Sequence, residues 1–335
     1  MLGLRSLLER HQIALYVGAI ALGAVAGLGI PGIQLALRSG ITPALMLLLF
    51  ATFLSIPSTG IGHAFRDRRF LATVLLVNFV VVPAVAYLLS RFVAADPALL
   101  LGVLLVLLTP CVDYVIVFAG LAGGSRERLL AATPLLMVMQ LVLLPGYLWV
   151  FVGPETSGLI EVTPFVEAFL LLIVAPLAAA TLVQLVARRD GAPRAGLGAV
   201  SRTIMRAMDM AMVPLMMLAL SVVVGSQIVD VSAQVGRLTT VIPLFIAFAA
   251  VMLGMGIAAG RLARIDPAGI RALVFSGTTR NSLVVLPLAL ALPQAFALTP
   301  LVVVTQMLVE LGVMVAFVRV VPRLVPPQVP ATPPH

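Results

Sequence analysis

Residues 98–120 read ALLLGVLLVLLTPCVDYVIVFAG, an apolar run about as long as a bilayer-crossing helix needs. Its middle is interrupted by Thr109-Pro110-Cys111-Val112-Asp113. Proline removes a backbone donor and clashes with the preceding turn, so an unbroken helix through Pro110 is not expected. At membrane depth, freed backbone groups persist only when buried in protein or lining water. The stretch therefore predicts a broken transmembrane helix with a polar interruption.

Nine further apolar runs surround it, at roughly 13–30, 41–58, 71–94, 129–152, 164–187, 207–226, 239–260, 270–292 and 298–320. The first is longer than the core of a signal peptide and reads as a span. The expected fold class is thus an all-α polytopic membrane protein with ten transmembrane helices. Composition agrees: 61% of residues are hydrophobic, 10% are charged and mean hydropathy is +1.18. A soluble domain carries about 25% charged residues. The net charge of +8 does not point to nucleic acid, because the basic residues sit in short breaks between apolar runs. All 21 of them are arginine. Ten spans place both termini on one side. That side receives every arginine except Arg38, Arg91 and Arg237, which fall opposite, and Arg280, which lies inside a span. Positive charge marks the cytoplasmic side, so both termini are expected in the cytoplasm and the chain in the plasma membrane.

The longest hydrophilic loop, about 188–206, separates 1–187 from 207–321. Because the sixth span begins near 164, the boundary between two five-span repeats falls near 155–163. An odd number of spans per half makes such repeats inverted. Pro134-Leu-Leu-Met-Val-Met-Gln140 and Pro300-Leu-Val-Val-Val-Thr-Gln306 match between the fifth and tenth spans, although apolar segments also match by chance. Residues 322–335 are too rich in proline for a helix and read as a disordered tail.

The ninth span is interrupted like the fourth, at Ser276-Gly277-Thr278-Thr279-Arg280-Asn281-Ser282, so Pro110 and Gly277 mark the two expected helix breaks. Matching breaks in two inverted halves are where transporters of this kind bind solute near mid-membrane; two ordinary kinks are the plainer alternative. Charges inside spans are few: Asp113, Arg280 and Glu310, with Glu167 and Asp209 near span ends. An intramembrane charge is costly and normally paired or functional. Asp113 and Arg280 are expected to meet as an ion pair, functional or purely structural. Glu310, with no basic neighbour in sequence, is suited to exchanging protons or to bonding a helix carbonyl. The single cysteine, Cys111, follows Pro110 at the start of a half-helix, where a thiolate is favoured and soft solutes would be held. Six methionines crowd the seventh span and read as gap-filling packing.

The stretch LTPCVDYVIVFAGLAGGSRERLLAATP (108–134) and the last span, LVVVTQMLVELGVMVAFVRV (301–320), resemble the arsenical-resistance permeases of the bile acid/sodium symporter superfamily. The resemblance lies in a cysteine at a helix break, a charged loop after it, and a glutamate in mid-span. It covers nearly the whole ten-span layout. It implies that Cys111 and Glu310 serve arsenite efflux. The residues themselves, in an Asp–Arg pairing that departs from the arsenite-permease pattern, put Cys111, Asp113, Arg280 and Asn281 at the substrate and Glu310 and Asp113 in proton handling. One departure stands out. Sodium-coupled relatives carry a glutamate and a glutamine before the asparagine corresponding to Asn281, where this chain has Ser276 and Arg280. An arginine has only donors and cannot ligate a cation. Sodium coupling is therefore not expected.

The leading expectation is a proton-coupled secondary transporter exporting arsenite, and antimonite with it. The alternative is an organic-anion carrier in which Arg280 grips the substrate carboxylate through its bidentate fork. A passive channel stays open. An enzyme does not: His11, His63 and His335 lie outside the spans, and no nucleophile–base constellation forms. No cofactor or metal is implied. The implied partners are a small solute or metalloid, protons and the lipid bilayer, with a homodimer left open and no nucleic acid.

Overall fold

The computed structural model describes residues 11–55, 67–111, 114–152, 167, 170–189 and 197–327. Helices dominate, and among the described residues the sole strand-like pairing is an isolated bridge between Pro110 and Arg280. The principal helices are α1 (Gln12–Gly29), α2 (Ile33–Ser55), α3 (Arg68–Val93), α4 (Pro97–Leu107), α5 (Val115–Leu121) and α6 (Arg126–Val152). They continue as α7 (Ala175–Arg189), α8 (Leu197–Ala233), α9 (Val241–Leu262), α10 (Pro267–Thr278), α11 (Ser282–Leu290) and α12 (Thr299–Leu324). Five segments, namely α2, α3, 198–233, 235–262 and 294–324, are long and apolar enough to cross a bilayer, and the bent α6 makes a sixth. The fourth and ninth apolar runs fail that length test because each is broken, into α4 and α5 and into α10 and α11. Large apolar side chains such as Leu22, Leu28, Phe92 and Trp149 are more than 60% exposed, which suits lipid rather than water.

The chain forms two compact units, and each draws on both halves of the sequence. The first comprises Met1–Ser58, Gly158–Thr239 and Leu283–Thr305. Within it α8 packs along α1 and α2, with α7 against α2 and α8. Gly23 and Gly27 are one turn apart on α1 and allow its backbone to touch α8. A Cβ on Gly23 would stand 2.4 Å from the Ser221 carbonyl oxygen, and one on Gly27 2.3 Å from that of Gly225. Small residues at such spacing are the usual means of close helix approach in membranes. Gly27→Val should force α1 off α8 and cost about 1–3 kcal/mol or more. Its thermal transition in detergent should fall by several degrees; an unaltered melt would mean α1 does not need this contact.

The second unit comprises Thr59–Ser157, Thr240–Ser282 and Gln306–His335. Here α4 and α10 are buried along almost their whole length, Ala98–Leu107 and Gly269–Thr278, as helices apolar on every side require. Asp96 caps α4, accepting from the N–H groups of Ala98 and Leu99 at 3.0 and 3.2 Å. At the opposite ends of these elements Arg128 binds Asp67 (3.0 Å) and Asp266, tying the starts of α3, α6 and α10. Arg271 donates to the carbonyls of Val325 and Ala122, each at 2.9 Å, closing the last turns of α12 and α5. Gly123, at φ 70°, makes room for that guanidinium, which a Cβ would meet at 2.4 Å.

Asp266 lies outside the spanning helices. Partial burial works to raise its pKa, but hydrogen bonding and attraction from Arg128 outweigh that, and the net shift is below the ordinary 3.8. A depressed carboxylate contributes stability that is present above its unfolded value and lost as pH falls through the folded one. Acidification below about pH 4 should therefore lower the melting temperature of the wild type more than that of Asp266→Asn. Parallel acid limbs in the two proteins would contradict the ion pair.

Several element boundaries differ from the sequence reading. Helix α8 starts at Leu197, so 197–206 is helical and the hydrophilic loop is shorter than 188–206. Charged Arg202 and Arg206 end an apolar run without ending a helix, since arginine is a good helix former. Residues 190–196 and the 155–163 boundary lie outside the described residues. The proline-rich end begins later than 322, because α12 continues through Pro322 to Leu324. Gly277 is not part of the second break: it lies in the last turn of α10, and the non-helical residues are Thr279–Asn281. A Cβ there would lie 2.9 Å from Val77 Cγ1, so this glycine serves close packing on α3.

Candidate functional site

The two interruptions meet inside the second unit. Pro110 and Arg280 pair as an antiparallel bridge, with Cys111 N–H donating to Thr279 C=O (3.2 Å) and Asn281 N–H donating to Thr109 C=O (2.9 Å). Each break thus satisfies backbone groups freed by the other, which a non-helical segment in a dry interior requires. The hydroxyls of Thr109 and Thr279 bond back to Leu105 and Phe275 in their own helices at 2.8 and 2.7 Å.

Arg280 is fully buried. Its guanidinium donates to the carbonyls of Leu107 (3.2 Å), Ser276 (2.7 Å) and Gly277 (2.8 Å), and to Asn78 Oδ1 (3.0 Å). Leu107 ends α4, and Ser276 and Gly277 are in the last turn of α10. The negative ends of two helix dipoles and their unsatisfied carbonyls therefore converge on one cation. Phe248 of α9 presents its ring 5.7 Å away. Among the described residues Arg280 Nε has no hydrogen-bond partner.

Asn78 is held for this task by a π-helical turn, Val77–Val81, in α3. The cause lies downstream: Pro83 supplies no N–H, so Phe79 C=O is freed and is taken by the Tyr147 hydroxyl at 2.6 Å. The Asn78 amide nitrogen donates to Val74 C=O and Ser276 Oγ, both at 3.0 Å, leaving its oxygen for Arg280.

Glu310 is 4% exposed and accepts three hydrogen bonds. They come from the Tyr114 hydroxyl (2.5 Å), the backbone N–H of Arg280 (2.7 Å) and the Gln306 amide (2.5 Å). Ser282 Oγ donates in turn to Gln306 Oε1. Arg280 of the second break and Glu310 of α12 are thus joined through main chain rather than as a direct ion pair. Beside Glu310 and Gln306 lies a small cavity of about 10 Å³, room for roughly one water, also lined by Leu107, Phe248 and Thr278.

The structure brings together Pro110, Cys111, Arg280, Asn281 and Glu310 of the residues singled out from sequence. Cys111, the single cysteine of the chain, is buried at the bridge itself, 1% exposed. Gly277 contributes its carbonyl rather than a break. Asp113, and with it the expected Asp113–Arg280 pair, lies outside the described residues. Among the described residues no group of three or more His, Cys, Asp or Glu could hold a metal ion. Three participants went unrecognised: Asn78, Tyr114 and Gln306. A lone asparagine in the third apolar run was the available signal, since intramembrane polar side chains are seldom idle.

A sequence model of the sodium bile acid symporter family matches residues 42–234, more than half of the chain. The match includes the first break and ends before the second. No curated protein matches the chain. With an all-helical build, apolar helices of membrane-spanning length and this match, the chain is a multi-pass membrane transporter belonging to the sodium bile acid symporter family.

Proposed function

We propose that this chain is a secondary transporter energised by protons at Glu310, with arsenite, and antimonite with it, as exported substrate. The observation that carries the proton part is Arg280. A family named for sodium is expected to hold a cation during transport, and here a tethered guanidinium sits at the carbonyl ends of α4 and α10. A resident positive charge at those carbonyls repels a second cation and leaves nothing for sodium to neutralise. The neighbouring carboxylate, Glu310, is then the group able to gain and lose charge during a cycle.

In this reading α4 with α5 and α10 with α11 are one broken span each. The chain then has ten spans in two inverted repeats joined near 155–163, with both termini cytoplasmic in the plasma membrane. Undissociated As(OH)₃ exchanges one hydroxyl for the Cys111 sulfur: an S–As bond forms, an As–O bond breaks, and the thiol proton leaves with hydroxide as water. A single thiolate gives a releasable bond, which a carrier needs more than a tight one. Asn281, whose N–H meets Thr109 C=O across the bridge, joins Cys111 at the substrate, and Asp113 shares proton transfer with Glu310.

The family match also favours an organic-anion carrier. In that reading Arg280 binds the substrate carboxylate, through the Nε–H that has no partner among the described residues or by giving up some of the four acceptors its terminal nitrogens meet.

The deciding experiment expresses the chain in cells lacking arsenite exporters. Resistance should rise, be unaffected by replacing sodium with choline, and be lost in Cys111→Ala. Folded protein that confers no resistance removes arsenite. Uptake of a labelled bile acid that Cys111→Ala spares would install the organic-anion reading instead.

A further inference from the structure

The Tyr114 hydroxyl has two acceptors in reach and one hydrogen. It stands 2.5 Å from Glu310 Oε1 and 3.2 Å from the backbone carbonyl oxygen of Arg280. Glu310 simultaneously accepts from the Arg280 N–H. The residue at the helix crossing is therefore held from both sides of its main chain by one carboxylate–phenol pair. The three donors around Glu310 fit an ionised carboxylate, which is acceptor-only.

We infer that Tyr114 is a positioning residue that turns its hydroxyl from Glu310 to the Arg280 carbonyl when Glu310 takes up a proton. This rests on Glu310 being the proton site. The incoming proton comes from water and stays on Glu310, which then donates to the phenol oxygen. Tyr114 keeps its own proton and re-aims it at Arg280 C=O, while the Arg280 N–H loses a charged acceptor. Protonation is thereby converted into a change in which atoms grip the backbone at the crossing. The charged and titratable groups facing Glu310 at the crossing are the Tyr114 phenol and Arg280, and the Cys111 thiol faces Arg280 in turn. From α9 it meets Phe245 and Phe248, and on its own helix the neutral Gln306. Asp113 lies outside the described residues.

The test needs no substrate. Full-length chain, reconstituted in lipid, is titrated by infrared difference spectroscopy as wild type, Glu310→Gln and Tyr114→Phe. In the wild type a carboxylic C=O band should titrate and should be missing in Glu310→Gln; persistence of that band would overturn the proton-site reading itself. In Tyr114→Phe the band should remain, with its midpoint moved toward alkaline pH by roughly one unit, the worth of one charge-assisted hydrogen bond. An unshifted midpoint with the band intact overturns the Tyr114 role alone. Should Tyr114→Phe not fold, ring-labelled tyrosine in the wild type replaces it. The chain has four tyrosines. One labelled phenol C–O band should shift with the same midpoint as the Glu310 band, and no tyrosine band following that titration overturns the inference.

Discussion

Arg280→Ala is expected to abolish the folded protein rather than merely its transport. The substitution leaves the carbonyls of Leu107, Ser276 and Gly277, and the Asn78 side-chain oxygen, facing a cavity instead of a donor. Each buried acceptor left unsatisfied costs about 1–3 kcal/mol. Four of them approach the 5–15 kcal/mol by which a whole domain is stable. Water entering the cavity offsets part of this, yet it brings no charge to the two helix dipoles that point there. Arg280→Lys keeps the charge but has three donors on one nitrogen in place of a planar fork, so it should fold where alanine does not and melt below wild type. The measurement is monodisperse yield and thermal unfolding in detergent. Wild-type stability in Arg280→Ala would show that the convergent carbonyls do not need the guanidinium.

Glu310→Gln should leave a folded protein that no longer moves protons with its solute. The amide cannot ionise, so any cycle that depends on gaining and losing charge there stops. The exchange is not silent structurally. Three donors now surround Glu310 on its two oxygens. Glutamine offers a single oxygen; with it in the place of Oε2, where the Arg280 N–H and the Gln306 amide both donate, its NH₂ opposes the Tyr114 hydroxyl. One buried donor is left unmet at about 1–3 kcal/mol, which lowers the melting temperature by roughly 2–4 °C per kcal/mol in a domain-sized unit. Solute-driven proton flux into proteoliposomes is the readout. Flux equal to wild type would move the coupling site away from Glu310.

Both variants show where sequence reading succeeds and where it stops. The interruptions at Thr109–Asp113 and around Arg280 were visible because proline and small polar residues inside an apolar run are local facts. Glu310 was visible because a carboxylate twelve residues into a helix of apolar neighbours has no cheap place to go. The identity of Arg280's partners was not. A search by charge pairs an arginine with an acid, and Asp113 was the acid at hand. That pair lies outside the described residues; what the structure adds is Asn78, 202 residues away, and three main-chain carbonyls. Neutral acceptors leave no charge pattern, and carbonyls leave no residue pattern at all.

By itself, then, the sequence determined that this chain crosses a membrane repeatedly, that two of its helices are broken, and that a few charges lie where charge is expensive. These follow from hydropathy and backbone chemistry, which act over neighbouring residues. Tertiary structure alone decided that the breaks bridge each other at Pro110 and Arg280, that Gly277 is helical, and that Glu310 reaches Arg280 through its N–H and Tyr114 through its hydroxyl. Those outcomes depend on which helix ends face one another, and helix ends look alike in sequence until packing brings their carbonyls to one point.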